Sequence, residues 1–249
     1  MTDTFLKQME DELGKLGITL DDRQMNQFYQ YYEMLVEKNK VMNLTAITEE
    51  NEVVTKHFSD SLSLIKISVS GDNAHKNFLQ SDLRLIDVGT GAGFPGIPLK
   101  IAFPQLHVTL LDSLNKRVKF LQEVCDALGL KNVSCFHGRA EDAGRMENHR
   151  EAYDICVSRA VANLSSLAEY CMPFVKVGGY FIPYKSGEIE EEVSGAQKAI
   201  SLLGGRIEER ISFVLPNSDF SRSLIKIKKE KPVSKKYPRK AGLPTKEPL

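Results

Sequence analysis

The chain has 249 residues, of which 42% are hydrophobic and 27% charged, a composition typical of a globular protein with a substantial core. Lys and Arg together number 33, as do Asp and Glu, so the net charge favours no class of partner. The N-terminus lacks the basic and apolar segments of a signal peptide, and no apolar run approaches the ~20 residues that span a bilayer. We therefore expect a cytoplasmic protein that is not inserted in a membrane.

Three helical patterns occupy the first part of the chain. The first covers residues 4–16, the second begins at Asp21 or Asp22, and the third begins at Thr48. Each places apolar residues on one face, and Asp and Thr are residues that favour the beginning of a helix. These patterns predict an N-terminal helical extension over residues 1–67, followed by a linker over residues 68–81.

Short β-rich runs alternate with helical patterns from residue 82 onward. Alternation of this kind predicts a parallel sheet, because parallel strands need helical crossovers. The last two runs, Arg206–Leu215 and Arg222–Lys229, are joined by too few residues for a helix and must form an antiparallel hairpin at the sheet edge. The prediction is an α/β fold with a seven-stranded Rossmann-like sheet over residues 82–230. That topology resembles the class I methyltransferases.

A glycine-rich loop follows the first predicted strand. Asp87 ends the strand, and Gly89, Gly91 and Gly93 follow it closely. Glycine permits a tight turn and lets the backbone approach a ligand, and ligands of open parallel sheets bind at this edge. Asp112, at the end of the second strand, is correctly spaced to bind a ribose in either a dinucleotide or S-adenosylmethionine.

The charge of Asp87 distinguishes these two cofactors. A carboxylate directly before the glycines would repel a pyrophosphate, whereas it would attract the cationic amino group of a methionine moiety. We therefore predict that S-adenosylmethionine binds at Asp87, Gly89, Gly91, Gly93 and Asp112. The third strand is followed by HGRAED (137–142), where the backbone of Ala140 and the carboxylate of Glu141 or Asp142 are candidates to bind adenine.

The end of the fourth strand indicates the acceptor side. Ser158 and Arg159 lie where the sulfonium methyl should point, and Arg159 is a candidate to bind phosphate, a guanine edge or the methionine carboxylate. The chain lacks the Pro-Pro-aromatic motif of exocyclic-amine methylation, and Cys156 lies inside a strand. A ring nitrogen such as guanine N7 needs no general base, so elimination favours it. The four cysteines form no CxxC pair, and we expect reduced thiols and no metal site.

Residues 231–249 form a basic, proline-rich tail. Between Arg222 and Leu249 there are ten Lys or Arg against two Glu, a net charge of +8. Prolines favour an extended chain and cations neutralise phosphates, so the tail is predicted to bind RNA. A solvated tail without a partner is the alternative. The candidate RNA-binding residues are Lys235, Lys236, Tyr237, Arg239, Lys240 and Lys246, with Tyr237 stacking on a base.

Several motifs, in order, resemble the bacterial small-subunit ribosomal RNA guanine-N7 methyltransferases, also called glucose-inhibited division protein B. They are NKVMNLTAI (39–47), HFSDSL (57–62), DVGTGAGFPGIPL (87–99), LLDSLNKR (110–117), SRAVA (158–162) and YPRKAGLPTKEPL (237–249). The resemblance runs from about Tyr31 to Leu249 and departs at Ala241, where that family usually has Pro. It implies a cytoplasmic enzyme acting on one guanine N7 of 16S rRNA, with the 30S subunit or its assembly intermediate as partner. We expect a monomer.

The resemblance also implies cofactor contacts at particular residues. They fall on Gly89, Phe94, Asp112 with Ser113, Ala140 with Glu141, and Arg159. Asn43, His57, Asp60 and Ser61 match family motifs too. The last three lie on one predicted helix and do not make a hydrolytic triad, so His57 is interpreted as a structural residue, with RNA contact as the second interpretation.

Two other functions stay open on the sequence. A nicotinamide-dependent dehydrogenase would use the same glycines, but Asp87 and the absence of a YxxxK pair oppose it. A non-catalytic RNA-binding protein that senses the cofactor would bind both ligands without turnover.

Overall fold

A computed structural model describes residues 1–67, 78–159, 162–187 and 189–249 of the chain, so most of the predicted linker lies outside the described residues. The α-helices within these ranges are α1 Asp3–Lys15, α2 Asp22–Met42, α3 Glu50–Val53, α4 Asp60–Leu62, α5 Gly96–Ala102, α6 Asn115–Ala127, α7 Ala140–Ala143, α8 Leu164–Cys171, α9 Glu190–Leu202 and α10 Leu243–Lys246. A π-helical segment, Val54–Ser59, connects α3 with α4. Among the described residues, no helix has the length and hydropathy needed to cross a membrane.

The strands form one twisted sheet. They are β1 Arg84–Val88, β2 His107–Asp112, β3 Val133–His137, β4 Tyr153–Arg159, β5 Val175–Ser186, β6 Gly205–Val214 and β7 Ser221–Lys229. Their order in the 7-stranded sheet is β3-β2-β1-β4-β5-β7-β6. The first five are parallel, and β7 runs antiparallel to both of its neighbours. The predicted α/β fold and its terminal hairpin are confirmed.

The N-terminal helices share their core with the sheet. Asp21 begins α2 with a capping box, in which its side chain accepts from the Gln24 N–H and the Gln24 side chain accepts from the Asp21 N–H. Phe28 and Tyr31, on the inner face of α2, belong to the same buried cluster as Leu85 of β1. The helices therefore lie against one face of the sheet and bring their residues to its edge.

The C-terminal segment is packed against the protein instead of extending into solvent, which corrects the sequence-based expectation. Arg150 donates to the carbonyl oxygens of Val233 at 2.7 Å and Tyr237 at 2.9 Å. Arg239 makes a bidentate ion pair with Glu169, which is fully buried. These contacts give the backbone carbonyls and the Arg239 cation of the segment partners within the folded protein, so the segment is ordered despite its composition. We call residues 231–249 the C-terminal strap.

Replacing Arg239 tests how the strap is held. Arg239→Ala leaves the Glu169 carboxylate buried without its cation, which costs roughly 3 kcal/mol and lowers the unfolding midpoint by roughly 5–10 °C. Thermal unfolding measures the midpoint. Limited digestion with a protease that cleaves after lysine measures how well the strap is protected. Lys240→Ala, at the neighbouring exposed position, is the matched control and should change neither. An Arg239→Ala protein as stable and protease-resistant as the control would show that this pair does not hold the strap.

Candidate active site

A cavity of about 280 Å³ opens at the carboxyl ends of β1, β2 and β3. Its walls bring together five predicted cofactor residues, which are Gly89, Asp112, Ser113, Ala140 and Glu141. Its remaining lining residues are Val88, Leu111, Gly138, Arg139 and Tyr170. The sheet places these residues side by side because the ends of adjacent parallel strands lie about 4.8 Å apart.

Asp87 lies beneath the glycine loop and organises it. Its Oδ2 accepts from the Thr90 hydroxyl at 2.6 Å and from the Gly96 N–H at 2.8 Å. A Cβ on Gly96 would lie 2.3 Å from Leu110 Cδ2 and 3.0 Å from Asp87 Oδ2, so only glycine permits this approach. Asp87 Oδ1 is buried and has no hydrogen-bond partner among the described residues. Such an orphaned carboxylate oxygen fits the cationic amino group predicted for this position.

Burial raises the pKa of Asp87 to about 6, although the hydrogen bonds from Thr90 and Gly96 oppose the shift. A fully buried carboxylate without a neighbouring cation in direct contact is costly in its charged form. A bound ammonium group would reverse that cost. Asp87 is therefore suited to a ligand that is cationic at this point.

Asp112 ends β2 at the wall of the cavity and connects the second strand to the glycine loop. Its Oδ2 accepts from the Gly91 N–H at 3.0 Å, and its Oδ1 accepts from the Leu114 N–H at 2.8 Å. Each carboxylate oxygen retains further acceptor capacity. This arrangement suits a ribose, whose hydroxyls need acceptors held in a fixed orientation.

Glu141, and not Asp142, faces the cavity. Glu141 is 7% exposed and Asp142 points into solvent. Glu141 Oε1 accepts from the Gly242 N–H of the strap at 2.9 Å. Tyr170, another lining residue, has its hydroxyl 2.7 Å from Thr245 Oγ1. The strap therefore supports the Glu141 and Tyr170 side of the cavity from behind, which no local sequence pattern indicated.

Gly93 and Phe94 lie on the other side of the loop, against the N-terminal helices. The Phe94 ring stacks on His57, with ring centroids 4.3 Å apart, and packs against Tyr31 at 5.4 Å. The Tyr31 hydroxyl donates to the Ala92 carbonyl at 2.6 Å. Phe94 is 5% exposed, so the N-terminal helices fix this half of the glycine loop. A direct contact between Phe94 and the cofactor stays a prediction.

Arg159 lines a second cavity, of about 410 Å³, at the ends of β4 and β5. Its Nη1 donates to Asp60 Oδ2 at 2.9 Å and to the Lys56 carbonyl at 3.1 Å, and its guanidinium lies 5.1 Å from the centre of the Phe94 ring. Asp87 of β1 pairs with Val157 of β4, so Gly89, which directly follows β1, and Arg159, which ends β4, each lie two residues beyond this pair. Arg159 therefore adjoins the first cavity without lining it.

Ser158 is not part of either wall, which corrects its predicted place on the acceptor side. It is fully buried, and its hydroxyl donates to the Val88 carbonyl at 2.7 Å. Alternate residues of a strand face opposite sides of the sheet, so Ser158 and Arg159 cannot both point to the same ligand. Ser158 joins β4 to β1.

Tyr237 and Arg239 do not have the free side chains that RNA binding requires. Tyr237 is 5% exposed and Arg239 pairs with Glu169. The other four strap candidates, Lys235, Lys236, Lys240 and Lys246, are exposed. The strap therefore presents lysines to solvent and turns its aromatic ring inward.

Sequence reasoning missed the polar residues around Arg159. Arg222 Nε donates to Asp60 Oδ1 at 3.1 Å, and Lys185 donates to Glu192 Oε1 at 2.6 Å. The HFSDSL motif indicated Asp60, but it did not predict that Arg159 and Arg222 are the partners of this residue. Arg222 is the second residue of β7, and only the sheet order places it beside Ser186 of β5.

The chain is similar to known proteins of one family. The family described as GidB, rRNA small subunit methyltransferase G, matches residues 24–220. The chain belongs to this family. A relative from Lachnoclostridium phytofermentans, named ribosomal RNA small subunit methyltransferase G, is 55% identical over 95% of this chain and 94% of its own. Relatives of the same name from Alkaliphilus metalliredigens and Ligilactobacillus salivarius are 53% and 50% identical, over 97% and 98% of both chains.

Membership confirms the resemblance seen in the motifs. It gives no support to the dehydrogenase or to the non-catalytic cofactor sensor. The orphaned Asp87 oxygen and the acceptors on Asp112 fit S-adenosylmethionine.

The raised pKa of Asp87 predicts a pH dependence of cofactor binding. Protonation below about pH 6 removes the charge that attracts the amino group, so affinity falls as the pH falls. We expect S-adenosylhomocysteine, which keeps that amino group, to bind about tenfold more weakly at pH 5 than at pH 7. Calorimetry between pH 5 and pH 7 measures the Kd.

Asp87→Asn is the matched control for this titration. Its amide oxygen still accepts from Thr90 and Gly96, but it cannot titrate, so its affinity should be low and nearly constant between pH 5 and pH 7. Parallel pH profiles for the two proteins would mean that another group is responsible.

Proposed function

We propose that this protein transfers a methyl group from S-adenosylmethionine to N7 of a guanine in 16S rRNA, within the 30S subunit or its assembly intermediate, in the cytoplasm. The observation that carries the proposal is the cavity at the ends of β1, β2 and β3, which is lined by Gly89, Asp112 and Glu141. The buried Asp87, whose Oδ1 has no partner among the described residues, directly precedes this lining in β1. Membership of an rRNA methyltransferase family supports the RNA substrate.

Each strand end has one part in holding the cofactor. Asp87 Oδ1 attracts the amino group, Asp112 accepts from the ribose hydroxyls, and Glu141 accepts from the adenine amino group while the strap holds its other oxygen. When bound, S-adenosylmethionine supplies a methyl carbon made electrophilic by the adjacent sulfonium. The protein supplies position, which is a large part of the acceleration in a transfer of this kind.

N7 needs no general base, and the carboxylates on the acceptor side, Asp60 and Glu192, are paired with Arg159, Arg222 and Lys185. Burial, with the neighbouring Arg159 charge, lowers the pKa of His57 to about 3, so the ring is neutral at pH 7. His57 stacks on Phe94, and its Nε2 lies 2.9 Å from Thr45 Oγ1. We assign His57 a structural part. Arg159, at the end of β4, is positioned to orient the guanine or its phosphate.

Methyl transfer tests the proposal directly. Protein and labelled S-adenosylmethionine are mixed with 30S subunits reconstituted from transcribed, unmodified 16S rRNA, and the product is mapped by cleavage at 7-methylguanine. We expect one labelled guanine. Absence of incorporation into both subunits and free 16S rRNA would refute the proposed reaction.

Replacing Asp112 tests the cofactor assignment. Asp112→Ala removes acceptors for the ribose and the brace on Gly91, so the Kd for S-adenosylhomocysteine should rise roughly tenfold to a hundredfold. Calorimetry measures it. Asp142→Ala removes an exposed carboxylate close by and is the matched control. Equal affinities for the two variants would remove Asp112 from the cofactor site.

Replacing the exposed strap lysines tests the RNA assignment without removing the strap. Exchange of Lys235, Lys236, Lys240 and Lys246 for Gln removes phosphate-neutralising charges while the Arg239 anchor is kept. We expect a higher KM for the 30S subunit, a weaker salt dependence of binding and an unchanged cofactor Kd. An unchanged KM would show that these lysines do not contact RNA.

A further inference from the structure

The cavity of about 410 Å³ beside the cofactor site concentrates positive charge. In the described part of the chain, four cations line it: Lys185, Arg159, Arg222 and Lys56, whose side chains are 13%, 14%, 19% and 21% exposed. Cations that are this well shielded from water produce a stronger field than surface lysines do.

The carboxylates of the same cavity leave a positive excess. Among the described residues of its lining, Asp60 and Glu192 are the acidic ones. Both Asp60 oxygens are occupied, one by Arg159 and one by Arg222. Glu192 Oε1 accepts from Lys185 and from the Leu164 N–H at 2.6 Å. Lys56 is paired with Glu52, which lies outside the lining. Four cations therefore face three carboxylates, and the remaining positive charge favours an anion over a metal ion.

Asp60 holds the two arginines in fixed positions. It is 3% exposed, and it lies between two guanidinium groups that come from different strands. Arg222 uses Nε on Asp60 and Nη1 on the Ser221 carbonyl. Within the described part of the chain, its Nη2 makes no hydrogen bond. A guanidinium oriented in this way presents N–H groups suited to a phosphate oxygen.

We propose that Arg222 and Lys185, together with Arg159, bind a phosphodiester of the RNA chain next to the nucleotide that is methylated. The inference rests on the proposed function, which makes RNA the substrate. Arg159 and Gly89 each lie two residues beyond the pair that Val157 of β4 forms with Asp87 of β1, so an RNA phosphate in this cavity lies beside the cofactor. Asp60 is then a positioning residue for the two arginines, and the N-terminal helices contribute to RNA binding through it.

Binding to reconstituted 30S subunits, measured at several salt concentrations with S-adenosylhomocysteine present, tests the proposal. Arg222→Gln should weaken binding about tenfold and reduce the slope of log Kd against log salt by about 0.7–0.9, the loss of one phosphate contact. Arg222→Lys keeps the charge and should keep most of the slope. Arg210→Gln, which removes an exposed arginine of β6 paired with Glu190, is the matched control.

Lys185→Gln provides an independent variant on another part of the wall, in case loss of Arg222 disturbs Asp60. It should show the same reduction in slope, with an unchanged Kd for S-adenosylhomocysteine in both variants. Binding that weakens with an unchanged slope would indicate contact with a base and would overturn the proposal, as would unchanged binding.

The two proposals fail in different ways. A wild-type protein that transfers no methyl group refutes the reaction. A wild-type protein that methylates the subunit, while both variants keep its affinity and salt slope, refutes only the phosphate site.

Discussion

A buried carboxylate, Asp87, determines how the cofactor end of this sheet is built. One of its oxygens accepts from Thr90 and Gly96 across the glycine loop, and the other has no partner among the described residues. Burial of this charge raises its pKa to about 6, so the folded protein bears an electrostatic cost that a cationic ligand removes. The loop geometry and the selection of the ligand thus have the same physical origin.

The N-terminal helices complete the site from one side and the C-terminal strap from the other. Tyr31 and His57 fix the glycine loop through Ala92 and Phe94, and Asp60 orients Arg159. On the opposite side, Gly242 holds Glu141. Segments that are distant in the sequence therefore position the residues of a central sheet. We propose that RNA binding draws on both, since their charged groups flank the cofactor cavity.

The strap shows most clearly where composition misleads. Six basic residues and four prolines within residues 231–249 are typical of a solvated tail, and nothing local distinguishes Arg239 from its exposed neighbour Lys240. The difference is made by Glu169, 70 positions away in the sequence, which is buried on α8 and needs a cation. Arg150, which is also distant in the sequence, donates hydrogen bonds to carbonyl oxygens of the strap. Partners of this kind cannot be found without the tertiary structure.

The sequence by itself indicated the parallel sheet with its terminal hairpin, the glycine loop, and the acids at Asp87, at Asp112 and at Glu141 or Asp142. These follow from local periodicity and from the rule that parallel strands end at one edge. Family membership followed from motifs in order. Only the tertiary structure decided that Ser158 faces inward, that Tyr237 is buried, and that Asp60 joins Arg159 to Arg222. Each of these depends on contacts between residues that are distant in the chain, for which local residue patterns carry no signal.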